Sequence, residues 1–149
     1  MHVQKILFAT DFSHTGDAAL SLATTLAKEN GATLLIAHAI EPTEAYSGGE
    51  FYYGIPEPSG EELERMLREV KPIDSDVPVE YRLVTGTPSK AIVELAENEE
   101  VDMIVLGTHG RTGLSHVLMG SVAEQIVRRA KCPVLTYKSP AKQTDLVDG

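Results

Sequence analysis

The chain has 149 residues, which fits one domain and is long enough for a proper core. Its 42% hydrophobic and 23% charged residues are ordinary for a soluble globular protein. A net charge of −9 argues against nucleic acid and against anionic membrane surfaces, both of which demand basic patches. The single cysteine, Cys132, rules out an internal disulfide framework and favours a reducing compartment. The N-terminal stretch has no apolar segment with a cleavage site, and no apolar run approaches ~18 residues. The expected location is the cytoplasm.

In chain order, Val3 to Ala9 is a short apolar run closed by Thr10-Asp11, the pattern of a buried strand. Ser13 or Thr15 can cap a helix with Ala19, Leu22, Ala23, Leu26 and Ala27 at helical spacing, and Asn30-Gly31 stops it. Ala32 to Ala39 is a second apolar strand. Residues 40–58 carry three prolines and three glycines among aromatic side chains and form a long loop. Ser59 and Glu62 have the spacing of a capping box. They open a short helix with Leu63, Met66, Leu67 and Val70 on one face, stopped near Pro72. Val77 to Val84 reads as a less buried strand, and its Glu80 and Arg82 suit a sheet edge. Thr87-Pro88 caps a helix running to about Glu99. A strand over 101–106, a glycine-containing loop, a helix from Ser121 to Ala130 and a strand over 133–138 follow, with a polar, frayed tail over 139–149. Strands and helices therefore alternate, and the nearly continuous apolar strands imply a parallel sheet covered on both faces: a single doubly wound α/β domain over residues 1–138.

The most informative stretch is Gly107-Thr108-His109-Gly110, then nine residues, then Gly120-Ser121. Glycines at both ends of a strand-to-helix connection let backbone N–H groups approach an anion without a Cβ in the way. The helix N-terminus beyond adds partial positive charge at the same spot, so the geometry suits phosphate. The chain has no Gly-Lys-Ser/Thr, so this is not a Walker A loop, and the spacing is not that of the dinucleotide fingerprint.

This signature resembles that of the universal stress protein family, in its ATP-binding branch. The likeness extends to Arg111, Gly113 and the closing Ala130-Lys131-Cys132-Pro133-Val134-Leu135. At the other end it takes in the opening Lys5-Ile6-Leu7-Phe8-Ala9-Thr10-Asp11-Phe12-Ser13 and the second strand Leu34-Leu35-Ile36-Ala37-His38-Ala39. The resemblance covers roughly residues 1–138 and implies a five-stranded sheet in the order 3-2-1-4-5, related to the adenine nucleotide alpha hydrolase architecture. In such a sheet ligands sit beyond the carboxyl ends of the strands where the order reverses, here between strands one and four. Asp11 and Gly107 then share one crevice.

The resemblance implies ATP, or AMP or ADP, as ligand, with Mg²⁺ possible alongside. Gly107, Thr108, His109, Gly110, Arg111, Gly120, Ser121 and Val122 would surround the phosphates, and Ala9, Thr10 and Ala39 would line the adenine pocket. Alanine at positions 9 and 39 leaves that pocket roomy. Asp11 is either a turn acid beside a helix N-terminus or a contact to the adenosine end or to a bound metal. Ser121 with Glu124 has the spacing of a capping box for its own helix, compatible with a phosphate contact. Arg111 can donate to phosphate oxygens or remain a solvated surface residue.

His109 and His116 lack a third partner at metal-site spacing, so no metal centre is expected. His38 fits a core or crevice-edge histidine, and Cys132 fits a small buried hydrophobe with no activating base nearby in sequence. No catalytic set emerges, so hydrolysis is expected to be slow or absent. The leading reading is an ATP-binding regulatory protein of the stress response. A slow ATPase or nucleotidyl-transfer enzyme, and a nucleotide-free dimerisation module, are the alternatives. A homodimer through strand 133–138 is expected, because that edge carries no charge before Lys138.

Overall fold

The structure is a computed structural model that describes residues 2–13, 16–42, 59–108 and 120–138. In chain order the elements are β1 (Lys5–Ala9), α1 (Asp17–Asn30), β2 (Thr33–Ile40), α2 (Gly60–Glu69), β3 (Val79–Thr85), α3 (Pro88–Asn98), β4 (Met103–Gly107), α4 (Ser121–Arg129) and β5 (Val134–Tyr137). All strand pairs are parallel, and the sheet order is β3-β2-β1-β4-β5. Most of the long 40–58 loop, the Thr15 alternative for the first cap and the polar tail lie outside the described residues.

Side chains alternate across a strand, so the continuous apolar runs supply two cores at once. Ile6 and Phe8 of β1, Leu34 and Ile36 of β2 and Val105 of β4 face α1 and α2, where Ala19, Ala23, Ala27 and Leu67 meet them. Leu7, Leu35, Ala37, Ile104 and Leu106 point the other way, onto Ile92, Val93, Leu95 and Ala96 of α3 and Ala123 and Ile126 of α4. The alanine spacing of four on α1 presents a smooth stripe to the sheet. Thr24 is buried among these alanines and satisfies its hydroxyl by donating to the Leu20 carbonyl at 2.8 Å.

The edges differ. On β3, Glu80 and Arg82 are joined to Lys5 and Glu99 rather than simply exposed. Arg82 Nε lies 3.1 Å from Glu99 Oε2 and its NH2 3.0 Å from Glu80 Oε1, while Lys5 Nζ reaches Glu99 Oε1 at 3.2 Å. Arg82 and Lys5 hold the Glu99 carboxyl below the ordinary glutamate range, outweighing the opposing effect of partial burial. On β5, Leu135 is 36% exposed. Tyr81 ties β3 to α2 by donating to the Val70 carbonyl at 2.8 Å.

Helix ends show where local sequence and tertiary demand agree or conflict. Ser59 caps α2 and accepts from the Glu62 N–H at 3.1 Å, as its spacing predicts. The start of α1 departs from expectation: Gly16 occupies the N-cap, and Ser13 instead donates to Asp11. Both α1 and α3 end in a Schellman arrangement. At α1 the Ala32 N–H reaches the Ala27 carbonyl at 2.8 Å across Gly31, which has φ 65°. At α3 the Val101 N–H reaches the Ala96 carbonyl at 3.0 Å across Glu100, which has φ 53°. The second motif places a side chain where only glycine is unstrained.

We therefore expect Glu100→Gly to stabilise the fold. Relief of about 1–2 kcal/mol of left-handed strain exceeds the ~0.4–1 kcal/mol of added chain entropy in the unfolded state. Urea denaturation should show the variant's midpoint rising, and a fall would show that the turn carries no strain. The Glu99 pairs yield a pH dependence with a definite sign. A lowered folded-state pKa contributes stability that is complete above the unfolded-state value and is lost as pH falls through the folded one. Glu99→Gln should flatten the loss of stability between about pH 5 and pH 3, read from urea midpoints at each pH.

Candidate functional site: the crevice beyond β1 and β4

The β1–β4 register, with Phe8 opposite Val105, brings the carboxyl ends of the two central strands to one edge. The chain order reverses between them, because β1 continues through α1 toward β2 on one side while β4 leads through α4 to β5 on the other. In open α/β sheets such a reversal is where a crevice lies beyond the carboxyl ends of the strands.

Thr108 follows β4 into that crevice. Its N–H donates to the Tyr137 carbonyl at 3.2 Å, and its own carbonyl accepts the Gly120 N–H at 2.6 Å. The second bond brings the start of α4 back to the end of β4. A Cβ built on Gly120 would lie 3.3 Å from the Thr108 oxygen, so glycine here lets the two backbone segments close. The Thr108 side chain is buried, and its Oγ1 has no hydrogen-bond partner among the described residues. A buried hydroxyl left unpaired costs about 1–3 kcal/mol, a penalty a ligand could remove.

Gly120 is the N-cap of α4, and the Glu124 N–H donates to its carbonyl at 2.9 Å. Ser121 is consequently the first helical residue, and the capping box expected of Ser121 and Glu124 does not form. Gly120 holds the position from which a side chain could have capped. Glu124 pairs instead with Arg128 one turn on, at 3.0 Å. The N–H groups of Ser121, Val122 and Ala123 have no acceptor within the helix, as at any helix start. Ser121 and Val122 are exposed.

On the β1 side, Thr10 donates its N–H to the Ala37 carbonyl at 2.8 Å, which holds the turn to β2. The Phe12 N–H reaches Thr10 Oγ1 at 3.0 Å, and Asp11 Oδ1 accepts both the N–H and the hydroxyl of Ser13, at 2.9 and 2.5 Å. Ala9 and Ala39 lie half-buried against the α3–α4 face. His38 packs at the crevice edge, its Nδ1 2.7 Å from the Thr10 carbonyl. His109, Gly110 and Arg111, with His116, lie outside the described residues.

Cys132 is half-buried at some distance along the chain from these groups. Desolvation, then the nearby acids Asp102 and Glu97, push its thiol above the ordinary range, which suits an inert side chain. Sequence reasoning passed over Phe12, whose φ of 67° puts it in the left-handed region. The available signal was the Thr-Asp-x-Ser order around it, since these side chains fold back onto a turn backbone.

An open parallel sheet with helices on both faces and its crevice at the β1–β4 reversal defines a doubly wound α/β domain. The model of the universal stress protein family matches residues 2–138. A universal stress protein of Methanocaldococcus jannaschii is 35% identical over 144 residues, spanning 94% of this chain and 85% of that protein. The solved structure of a second protein of that organism superposes with a TM-score of 0.79 at 32% identity, covering 95% of this chain and 100% of the other. A universal stress protein solved in complex with cAMP superposes with a TM-score of 0.63 at 26% identity, covering 94% and 100%. The chain belongs to the universal stress protein family. Among its described residues, no helix is long and apolar enough to cross a membrane.

Proposed function

We propose that this chain binds an adenine nucleotide, ATP or its AMP or ADP relatives, at the β1–β4 crevice as a regulatory ligand in a cytoplasmic stress response. The observation that carries the reading is the buried, unpaired Thr108 hydroxyl beside the N-terminus of α4. The α4 N–H groups of Ser121, Val122 and Ala123 would supply the anion contacts there. Backbone donors also resolve the conflict between a polyanionic ligand and a net charge of −9, because their attraction is local. Ala9, Thr10 and Ala39 would take the base, with Asp11 at the adenosine end and the 107–111 segment on the phosphates. The complex of a relative with cAMP supports the adenine assignment. Among the described residues no cluster of three or more His, Cys, Asp or Glu could hold a metal. Any Mg²⁺ would arrive with the nucleotide, as the family resemblance implies.

Thr108→Val separates this reading from a purely structural one, since valine keeps the shape and removes the hydroxyl. The unliganded variant should be as stable as the wild type or more so, because the unpaired group has gone. Its ATP affinity, measured by calorimetry with Mg²⁺ present, should fall about tenfold, the value of one hydrogen bond of ~1.4 kcal/mol. Equal affinity in the two proteins would remove Thr108 from the site, and wild type that binds no ATP would remove the reading itself.

The same proposal includes a homodimer through β5. That strand pairs with β4 on one side only, carries no charged residue and exposes Leu135. An uncharged apolar edge is a template for a second copy, and two such edges related by a twofold axis close the assembly. Leu135→Lys should shift the solution mass toward monomer in light scattering. Wild type that is monomeric at micromolar concentration, or a variant that stays dimeric, would exclude this interface.

A further inference from the structure

We propose that His38 is a positioning residue for the nucleotide site, setting base selectivity by holding the β1 turn in a strained shape. The proposal rests on the reading above and concerns a residue to which that reading gives no part.

The turn at Thr10 to Ser13 is not one the chain adopts unaided. Phe12 sits at φ 67°, in the left-handed region where its Cβ crowds the following carbonyl oxygen. Local bonds from Phe12 to Thr10 and from Ser13 to Asp11 favour a turn, and the Thr10 N–H on the Ala37 carbonyl joins its start to β2. His38 adds a second tie from β2, 28 residues from Thr10 in sequence. A carbonyl oxygen can only accept, so Nδ1 carries the proton and donates to the Thr10 carbonyl at 2.7 Å. The same imidazole packs against the Phe12 ring, with centroids 4.4 Å apart and planes tilted by 42°.

One side chain therefore grips the turn at both ends of the Thr10–Phe12 segment, and Asp11 lies between the two grips. Along β2, His38 points to the α1–α2 face and its neighbour Ala39 to the α3–α4 face. The histidine thus shapes the base end of the crevice from behind. A strained backbone conformation held by several tertiary contacts beside a ligand crevice is the pattern of a preorganised site.

The full-length protein with ATP or GTP, each with Mg²⁺, tests this by calorimetry. His38→Phe keeps an aromatic ring against Phe12 and removes the donor. His38→Asn restores a donor, because its amide nitrogen falls where Nδ1 lies. We expect His38→Phe to lower ATP affinity about tenfold and to bring the ratio of ATP to GTP affinity toward one, with His38→Asn recovering most of both. A purely structural histidine would lower the unliganded melting temperature and leave the nucleotide ratio unchanged, and that result would overturn the proposal. Phe12→Gly provides a second route if His38→Phe does not fold, since glycine accepts the left-handed backbone. It should weaken ATP binding and shift the ratio in the same direction, and an unchanged ratio would count against the proposal equally. Wild type that binds ATP while the variants match it overturns this inference alone. Wild type that binds no ATP overturns the nucleotide site and this inference with it.

Discussion

Burial of both faces of the sheet is the constraint on which the other features depend. Ile6, Leu7, Leu34, Leu35, Ile36 and Ile104 have essentially no exposure, although neighbours in sequence point to opposite sides. Helices must therefore cover both faces, and a parallel strand order with helical crossovers provides them. With apolar side chains filling the middle of the sheet, polar chemistry is left to its edges and strand ends. At one lateral edge the polar groups are consumed by the Lys5–Glu80–Arg82–Glu99 network. At the carboxyl edge they face the crevice.

That division bears on how an acidic chain would hold the anionic ligand proposed for it. Its carboxylates outnumber its cationic side chains, 22 to 13, so side-chain charge works against a phosphate ligand on average. Backbone N–H groups at the start of a helix do not change with composition, and their partial charge acts within the first turn. The α4 N-terminus is brought to the end of β4 by the Gly120 N–H on the Thr108 carbonyl, an approach that a Cβ at position 120 would crowd at 3.3 Å. Packing of Ala123 and Ile126 against α3 and the sheet fixes the direction of the helix. The start of α4 is thus aimed by the core.

Residues with side chains at positive φ mark two different balances. Glu100 closes α3 where a tight entry to β4 is needed, and its neighbour Glu99 is committed to Arg82 and Lys5. Phe12 lies beside the crevice, where its ring fills space against His38 that glycine would leave empty. In both cases local preference yields to contacts made elsewhere in the fold.

The alternation of apolar runs with helical periodicity was enough to place the nine elements among the described residues to within about two residues, because strands buried on both faces read as continuous apolar runs while helices buried on one face carry the helical period. The strand order came from resemblance and not from pattern, since hydrophobicity does not say which strands are neighbours. Of the spaced glycines, Gly120 makes a close backbone approach, to the Thr108 carbonyl, as a close approach tolerates few residues besides glycine. The roles of individual polar side chains could not be read this way. Ser13 and Ser121 both stand at cap spacing, and each loses that position to a glycine: Gly16, turned back onto the Ser13 carbonyl, and Gly120, held to the Thr108 carbonyl. The unpaired Thr108 hydroxyl, the His38 grip on Thr10 and the pairing of Arg82 and Lys5 with Glu99 each join or isolate atoms across segments distant in sequence. Sequence by itself determined which segments are strands, helices and glycine turns, because those depend on local period and backbone freedom. Only the tertiary structure decided which polar atoms find partners, because that depends on how the packed sheet sets their distances.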